Sequence, residues 1–120
     1  MIKNLFDNEN AIFMGAKRNP DDCVIGIFGV NYDGTCSFKP GARFGPEAIR
    51  QVSSCLETYC PKLNKDLENI MYVDFGSIII DKNDSKSVIE SVKSATNFLI
   101  NKGLSPIMLG GEHSITTGAI

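Results

Sequence analysis

The feature that most constrains this fold is a repeated alternation of short apolar runs and helical patterns. The run VIGIFGV, residues 24–30, is nearly continuous and rich in β-branched side chains. A second run, IMYVDFGSIII at residues 70–80, is interrupted near Gly76, and a third, PIMLGG, spans residues 106–111. Runs of this length without polar alternation suit strands covered on both faces, as in a parallel sheet. Between the first two, Pro46 marks a helix start, and Ile49, Val52 and Leu56 then fall on one helical face. Between the second and third, Val88, Val92, Ala95 and Leu99 form one helical stripe. Asp84 or Ser85 can cap that helix, and Gly103 stands where a C-terminal glycine belongs. Ser114 onward reads as a third helix. Strand and helix alternating three times predicts an α/β fold with a mostly parallel sheet and right-handed crossovers.

Parallel sheets bind ligands beyond the carboxyl ends of their strands, best where the strand order reverses. Residues 31–45, 75–81 and 110–113 are the loops at that edge. If the strand order is 2-1-3, the first and third loops flank the reversal. His113, the only histidine of the chain, then faces the long first loop. Near a helix start the charged imidazolium is disfavoured, and a neutral imidazole is the form that binds a metal. On position alone two other readings stay open. One is a histidine merely hydrogen-bonded at a helix start. The other is an anion site at a glycine-rich turn, although the lysine and spacing of a phosphate-binding loop are missing.

Composition excludes several classes. The 120 residues suffice for one domain, and the formal net charge of -2 gives no electrostatic case for nucleic acid or an anionic membrane. No apolar run approaches the roughly 20 residues of a membrane helix. The amide- and acid-rich N-terminus lacks the apolar core of a signal peptide, so a cytoplasmic protein is expected. Cys23, Cys36, Cys55 and Cys60 have neither zinc-site spacing nor a secreted-scaffold context. They are expected to be reduced thiols, mostly buried as small apolar groups.

Two motifs then narrow the field. GGEHSIT resembles the first metal-binding motif of the ureohydrolases: arginase, agmatinase, formimidoylglutamase and relatives. GVNYDGTCSFKPGARFGPEAIR, residues 29–50, is similar to the N-terminal signature of the same family, most closely in PGARFGPEAIR. The likeness runs from about Phe13 to the last residue, and FMGA together with GARFGP favours the agmatinase branch.

The resemblance implies a three-layer α/β/α fold of the arginase/deacetylase-like kind. It implies Mn(II)-dependent hydrolysis of a guanidino group, foremost agmatine to putrescine and urea, a step of polyamine biosynthesis. Guanidinobutyrate, arginine or formiminoglutamate are the alternative substrates. It maps His113 onto a ligand of one of two Mn(II) ions, which would activate water for attack on the guanidino carbon; His113 is not the general base. The family's other ligand motifs, Asp-Ala-His-x-Asp and Asp-x-Asp, are not in this sequence, and Asp33, Asp74 and Asp81 do not match them. Residues 1–120 are therefore expected to be the N-terminal portion of a single ureohydrolase catalytic domain, inactive by itself. A non-catalytic truncated relative is the alternative. The family likeness also suggests a homo-oligomer, trimer or hexamer.

The remaining candidates carry two readings each. Asn31 can hydrogen-bond substrate, and it stands where the family often has proline. Glu112 can orient His113 through hydrogen bonds or be a solvated surface group. Ser114 can cap the following helix or donate a hydrogen bond at the site. Arg43 is expected to pair with an acid and fix its loop rather than meet substrate, because a guanidinium would repel a second one. Cys36 is expected to be a spectator.

Overall fold

The structure is a computed structural model and describes residues 5–7 and 12–120. The described residues form six strands: β1 (Phe6–Asp7), β2 (Ile25–Val30), β3 (Tyr59–Cys60), β4 (Lys65–Asp66), β5 (Tyr72–Ile78) and β6 (Ser105–Gly110). Two α-helices, α1 (Gly45–Ser53) and α2 (Ser85–Asn101), lie between them, with 3₁₀ turns at Ala42–Phe44, Leu67–Asn69 and His113–Gly118. The main sheet has the order β1-β5-β2-β6. β2 runs parallel to both β5 and β6, and β1 adds antiparallel to the outer edge of β5. The three long strands thus take the 2-1-3 order, so the connection reverses across β2. β3 and β4 form a separate hairpin.

Alternation along β2 assigns a face to each helix. A side chain at Gly26 would meet Leu99 of α2 at 2.6 Å, whereas one at Gly29 would meet Pro46 and Arg50 of α1 at 3.0 Å. Residues 26 and 29 point to opposite faces of a strand, so α1 and α2 cover opposite sides and complete three layers. The α2 side is the apolar core, where Phe28, Val30, Val73, Phe75 and Ile78 meet Val88, Val92, Ala95 and Leu99. All four helix residues of that stripe are fully buried, as their spacing predicts. Asp84 caps α2 by accepting a hydrogen bond from the Lys86 N–H, and Gly103 follows its end at φ 76°. Phe6 of β1 closes the core against the rings of Phe28, Phe75 and Phe98.

The α1 side is built differently. Between Ile27↔Asp74 and Gly29↔Ser77 the register slips, with one extra residue on β5. This is a β-bulge at Gly76, whose φ of 82° suits glycine. The extra residue re-phases the strand. Asp74 and Ser77, three apart, now share the α1 face, while Phe75 and Ile78 stay in the core. Those polar groups select what α1 turns inward: its buried residues are Pro46, Arg50 and Ser53. Ile49 and Val52, which share one helical face, are 38% and 59% exposed, and Leu56 lies beyond the helix end and is also exposed. An apolar side chain in the place of Arg50 would leave the buried β5 carboxylate without its charged partner, and so the apolar stripe faces out.

Two further expectations are corrected. The segment after Gly111 is a 3₁₀ turn, not an α-helix. The cysteines carry no disulfide, but Cys36, Cys55 and Cys60 are exposed and Cys23 is half-buried. Cys23, Cys36 and Cys55 lie in loops and turns, and Cys60 lies in the exposed β3–β4 hairpin, away from the main sheet's faces that would cover them. Among the described residues no helix is long and apolar enough to cross a membrane.

Candidate functional site

The first loop closes on itself through Asp33. Its Oδ2 accepts hydrogen bonds from the Gly41 N–H at 2.6 Å and the Arg43 N–H at 3.3 Å, and it pairs with the Arg43 guanidinium at 3.1 Å. Gly41 takes φ 131° to permit this closure. The Gly41 N–H, with the Arg43 N–H and guanidinium, holds the Asp33 carboxyl below the usual range, against the opposing effect of burial. Arg43 also lies over the Phe44 ring, 4.4 Å from its centroid. Arg43 is thus engaged with an acid within its own loop.

The third loop locks against the first, backbone to backbone. Gly111 has φ +52°, and a Cβ there would stand 2.5 Å from the Val30 carbonyl oxygen and 2.8 Å from that of Tyr32. A Cβ at Gly45 would stand 2.7 Å from the Gly110 carbonyl oxygen. Only hydrogen fits at both positions. The Glu112 N–H donates to the Tyr32 carbonyl at 2.9 Å.

Glu112 itself turns inward and is 9% exposed. Its carboxylate accepts the Thr35 N–H at 2.9 Å, the Thr35 hydroxyl, and the Ser114 hydroxyl. Burial pushes this carboxyl up, but the hydrogen bonds from Ser114 and Thr35 outweigh it and hold the group below its ordinary value. Its partners are therefore Thr35 and Ser114, rather than the His113 ring or solvent. Ser114 does not cap the turn; that place belongs to Glu112.

His113, the first residue of the 3₁₀ turn, is exposed. It opens into a cavity of about 300 Å³ shared with Thr35, Cys36, Ser37, Ala42, Glu112 and Ser114. The first and third loops thus meet around the imidazole, as the strand order requires. Asn31 lies on the other side of the first loop, where a cavity of about 230 Å³ is lined by Tyr32, Asp33, Gly34, Arg43 and Lys82 as well. Its Oδ1 accepts a hydrogen bond from the Ser77 hydroxyl at 3.4 Å.

Ser77 leads to a network that sequence reasoning missed. The Arg50 guanidinium donates from Nε and Nη2 to the two Asp74 oxygens at 2.8 and 2.9 Å, and from Nη1 to Glu47 at 2.8 Å and Ser77 at 3.1 Å. Asp74 also accepts the N–H groups of Phe13 and Gly76. Burial opposes the charge on Arg50, and Asp74 with Glu47 more than restores it, so its pKa is raised. One signal was available: an acid in the middle of an apolar strand needs a buried partner.

As a metal site, the chain supplies a single imidazole. Among the described residues no group of three His, Cys, Asp or Glu side chains is placed to hold an ion. Asp33 and Asp74 are engaged with arginines, and Asp81 accepts the Asn83 N–H. An exposed imidazole at the mouth of a cavity fits one ligand of a metal centre whose other donors come from elsewhere.

Comparison with known proteins bears on family and fold. Residues 23–120 match the sequence pattern of the arginase family. An agmatinase of Bacillus anthracis is 33% identical over 105 residues, covering 88% of this chain and 36% of that protein. The N(1)-aminopropylagmatine ureohydrolase of Thermococcus kodakarensis is 38% identical over 103 residues, 84% of this chain and 36% of the relative. Among solved structures, the agmatine ureohydrolase of Thermoplasma volcanium superposes with a TM-score of 0.80 at 35% identity, covering 87% of this chain and 35% of that one. The chain spans about a third of the length of these relatives.

Proposed function

The chain belongs to the arginase family, and from that premise we propose that it forms the N-terminal portion of a single catalytic domain that hydrolyses a guanidino group. Agmatine is the first candidate substrate, with putrescine and urea as products. The observation that carries this reading is the exposed His113 imidazole, set in a cavity where the first and third loops meet. It is the one group there with the chemistry of a Mn(II) ligand and no competing partner of its own. When bound, Mn(II) supplies the Lewis acidity that makes a hydrolytic water reactive near neutral pH. This chain's own part is to present His113 outward at the cavity and to wall that cavity with residues of the 31–44 loop. Two ions per complete site, a trimeric or hexameric assembly and a cytoplasmic location belong to the same proposal.

The relatives named above act on agmatine and on N(1)-aminopropylagmatine, which share the guanidinobutyl amine end. Arginine, guanidinobutyrate and formiminoglutamate are the competing substrates. The test is urea release by the protein in its native length, with and without Mn(II), across this panel. Formamide is followed for the formimino substrate. Mn(II)-dependent urea, greatest with agmatine, is expected. His113→Ala should lose bound Mn(II) and nearly all turnover. Full Mn(II) occupancy with normal turnover in that variant would overturn the ligand assignment. Metal bound with no product from any substrate would point instead to a relative that keeps the fold without the reaction.

A further inference from the structure

Glu112 is a buried carboxylate that none of the ion pairs among the described residues includes. An ionised group so placed is costly unless hydrogen bonds replace its water. Three donors do so, and they come from two directions. Thr35, 77 positions earlier in the sequence, gives its N–H and its hydroxyl; Ser114, two positions later, gives its hydroxyl.

The Thr35 contacts have no substitute. Residues 34–40 are all exposed. Their other hydrogen bonds are local: the Cys36 N–H to the Asp33 carbonyl and the Cys36 thiol to the Lys39 carbonyl. Among the described residues, every hydrogen bond from this loop tip to the rest of the protein runs through Thr35 to Glu112. On the other side, the Glu112 N–H is fixed to Tyr32 and its carboxylate to Ser114. His113 is therefore flanked by two anchored neighbours, which fix the backbone from which its side chain leaves the turn.

We propose that Glu112 is a positioning residue whose carboxylate pins the tip of the 31–44 loop to the turn that carries His113, and so fixes both walls of the cavity. The lock is a matter of geometry alone. Its effect on turnover rests on the guanidino-hydrolase reading. A carboxylate suits the place because it accepts from all three groups at once, and its charge strengthens each bond. An amide could keep the Thr35 N–H on its oxygen but would have to reverse both hydroxyl contacts, donating from its NH₂, and would lose the charge assistance.

The experiment uses the protein in its native length, three single variants, Glu112→Gln, Thr35→Val and Thr35→Ser, and the double variant that combines the first two. Each is followed by amide hydrogen exchange at residues 35 and 36, by melting temperature, and by kcat and KM in the presence of Mn(II). Exchange at residues 35 and 36 should quicken at least tenfold in Glu112→Gln and several-fold in Thr35→Val. Thr35→Ser, which keeps the hydroxyl, should restore wild-type protection. Loss of positioning should lower kcat on the order of 10- to 100-fold in Glu112→Gln, at a temperature where the variant is fully folded. The two defects should not multiply when Glu112→Gln and Thr35→Val are combined, since they break one lock. Unchanged exchange in both single variants, or multiplying defects, would overturn the proposal. So would a kcat loss that merely tracks the unfolded fraction. If the wild-type protein releases no urea, the functional reading fails, and the exchange data still decide the lock. Thr35 is exposed, so its variants fold even if Glu112→Gln does not.

Discussion

Replacing Arg50 with methionine should destabilise the fold severely, although the substitution looks benign on a helix surface. Arg50 is 1% exposed, and so is its partner Asp74. Methionine removes two charge-assisted hydrogen bonds from the Asp74 carboxylate and leaves it with two backbone donors, Phe13 and Gly76. A buried charge stripped of its partner typically costs about 3–5 kcal/mol. Asp74→Leu should cost at least as much. It leaves a buried guanidinium with only Glu47 and Ser77, and it orphans two N–H groups at about 1–3 kcal/mol each. The double variant removes both charges, so its loss should fall well short of the sum of the singles. Urea denaturation followed by circular dichroism reads this directly. With a slope of about 2 kcal/mol per M, a loss of about 4 kcal/mol moves the midpoint by about 2 M. Should Arg50→Met leave too little folded protein, Arg50→Lys keeps the charge, loses the bidentate fork, and should fall in between. A midpoint shift under about 0.5 M in Arg50→Met, roughly 1 kcal/mol on the same slope, would refute the reasoning. Additive single losses would do the same.

Gly111→Ala should cost more than about 1 kcal/mol, because the residue sits at φ +52° and its Cβ would press on two carbonyl oxygens; a thermal melt and loss of the Glu112 amide's protection would show it. Ile49→Ser or Val52→Ser should change stability by no more than about 0.5 kcal/mol, despite the apolar residues removed, since both already face solvent; a denaturation midpoint checks it. Acid should loosen the first loop through Asp33. Its folded pKa lies below the unfolded one, so its contribution is complete above about pH 4 and fades as pH falls through the folded value. The Gly41 amide resonance should therefore titrate below the ordinary aspartate range, and a midpoint at or above that range would contradict the hydrogen bonds described.

Much of the architecture could be read before any coordinates. The stripe Val88, Val92, Ala95 and Leu99 announced α2 and its buried face, Asp84 and Gly103 announced its ends, and the apolar runs announced β2, β5 and β6. Position 113 was legible too, because strand order and a glycine pair place a residue at the carboxyl edge whatever its partners are. The inward face of α1 was not legible. Its apolar residues and its arginine are equally periodic, and only the polar groups across the interface choose between them.

The sequence by itself determined the order of the three long strands and the two α-helices, the parallel sense of those strands, the covered face of α2 and the family motifs around Pro40 and His113. These follow from local periodicity, caps and short spacings, which a chain expresses without knowing its distant neighbours. The tertiary structure alone decided the phase of β5 after the Gly76 bulge, the burial of Arg50 against Asp74, and the grip of Glu112 on Thr35. Each of these balances the desolvation of a charged or polar group against hydrogen bonds from residues far away in the chain. That balance has no sign until the partner is in place.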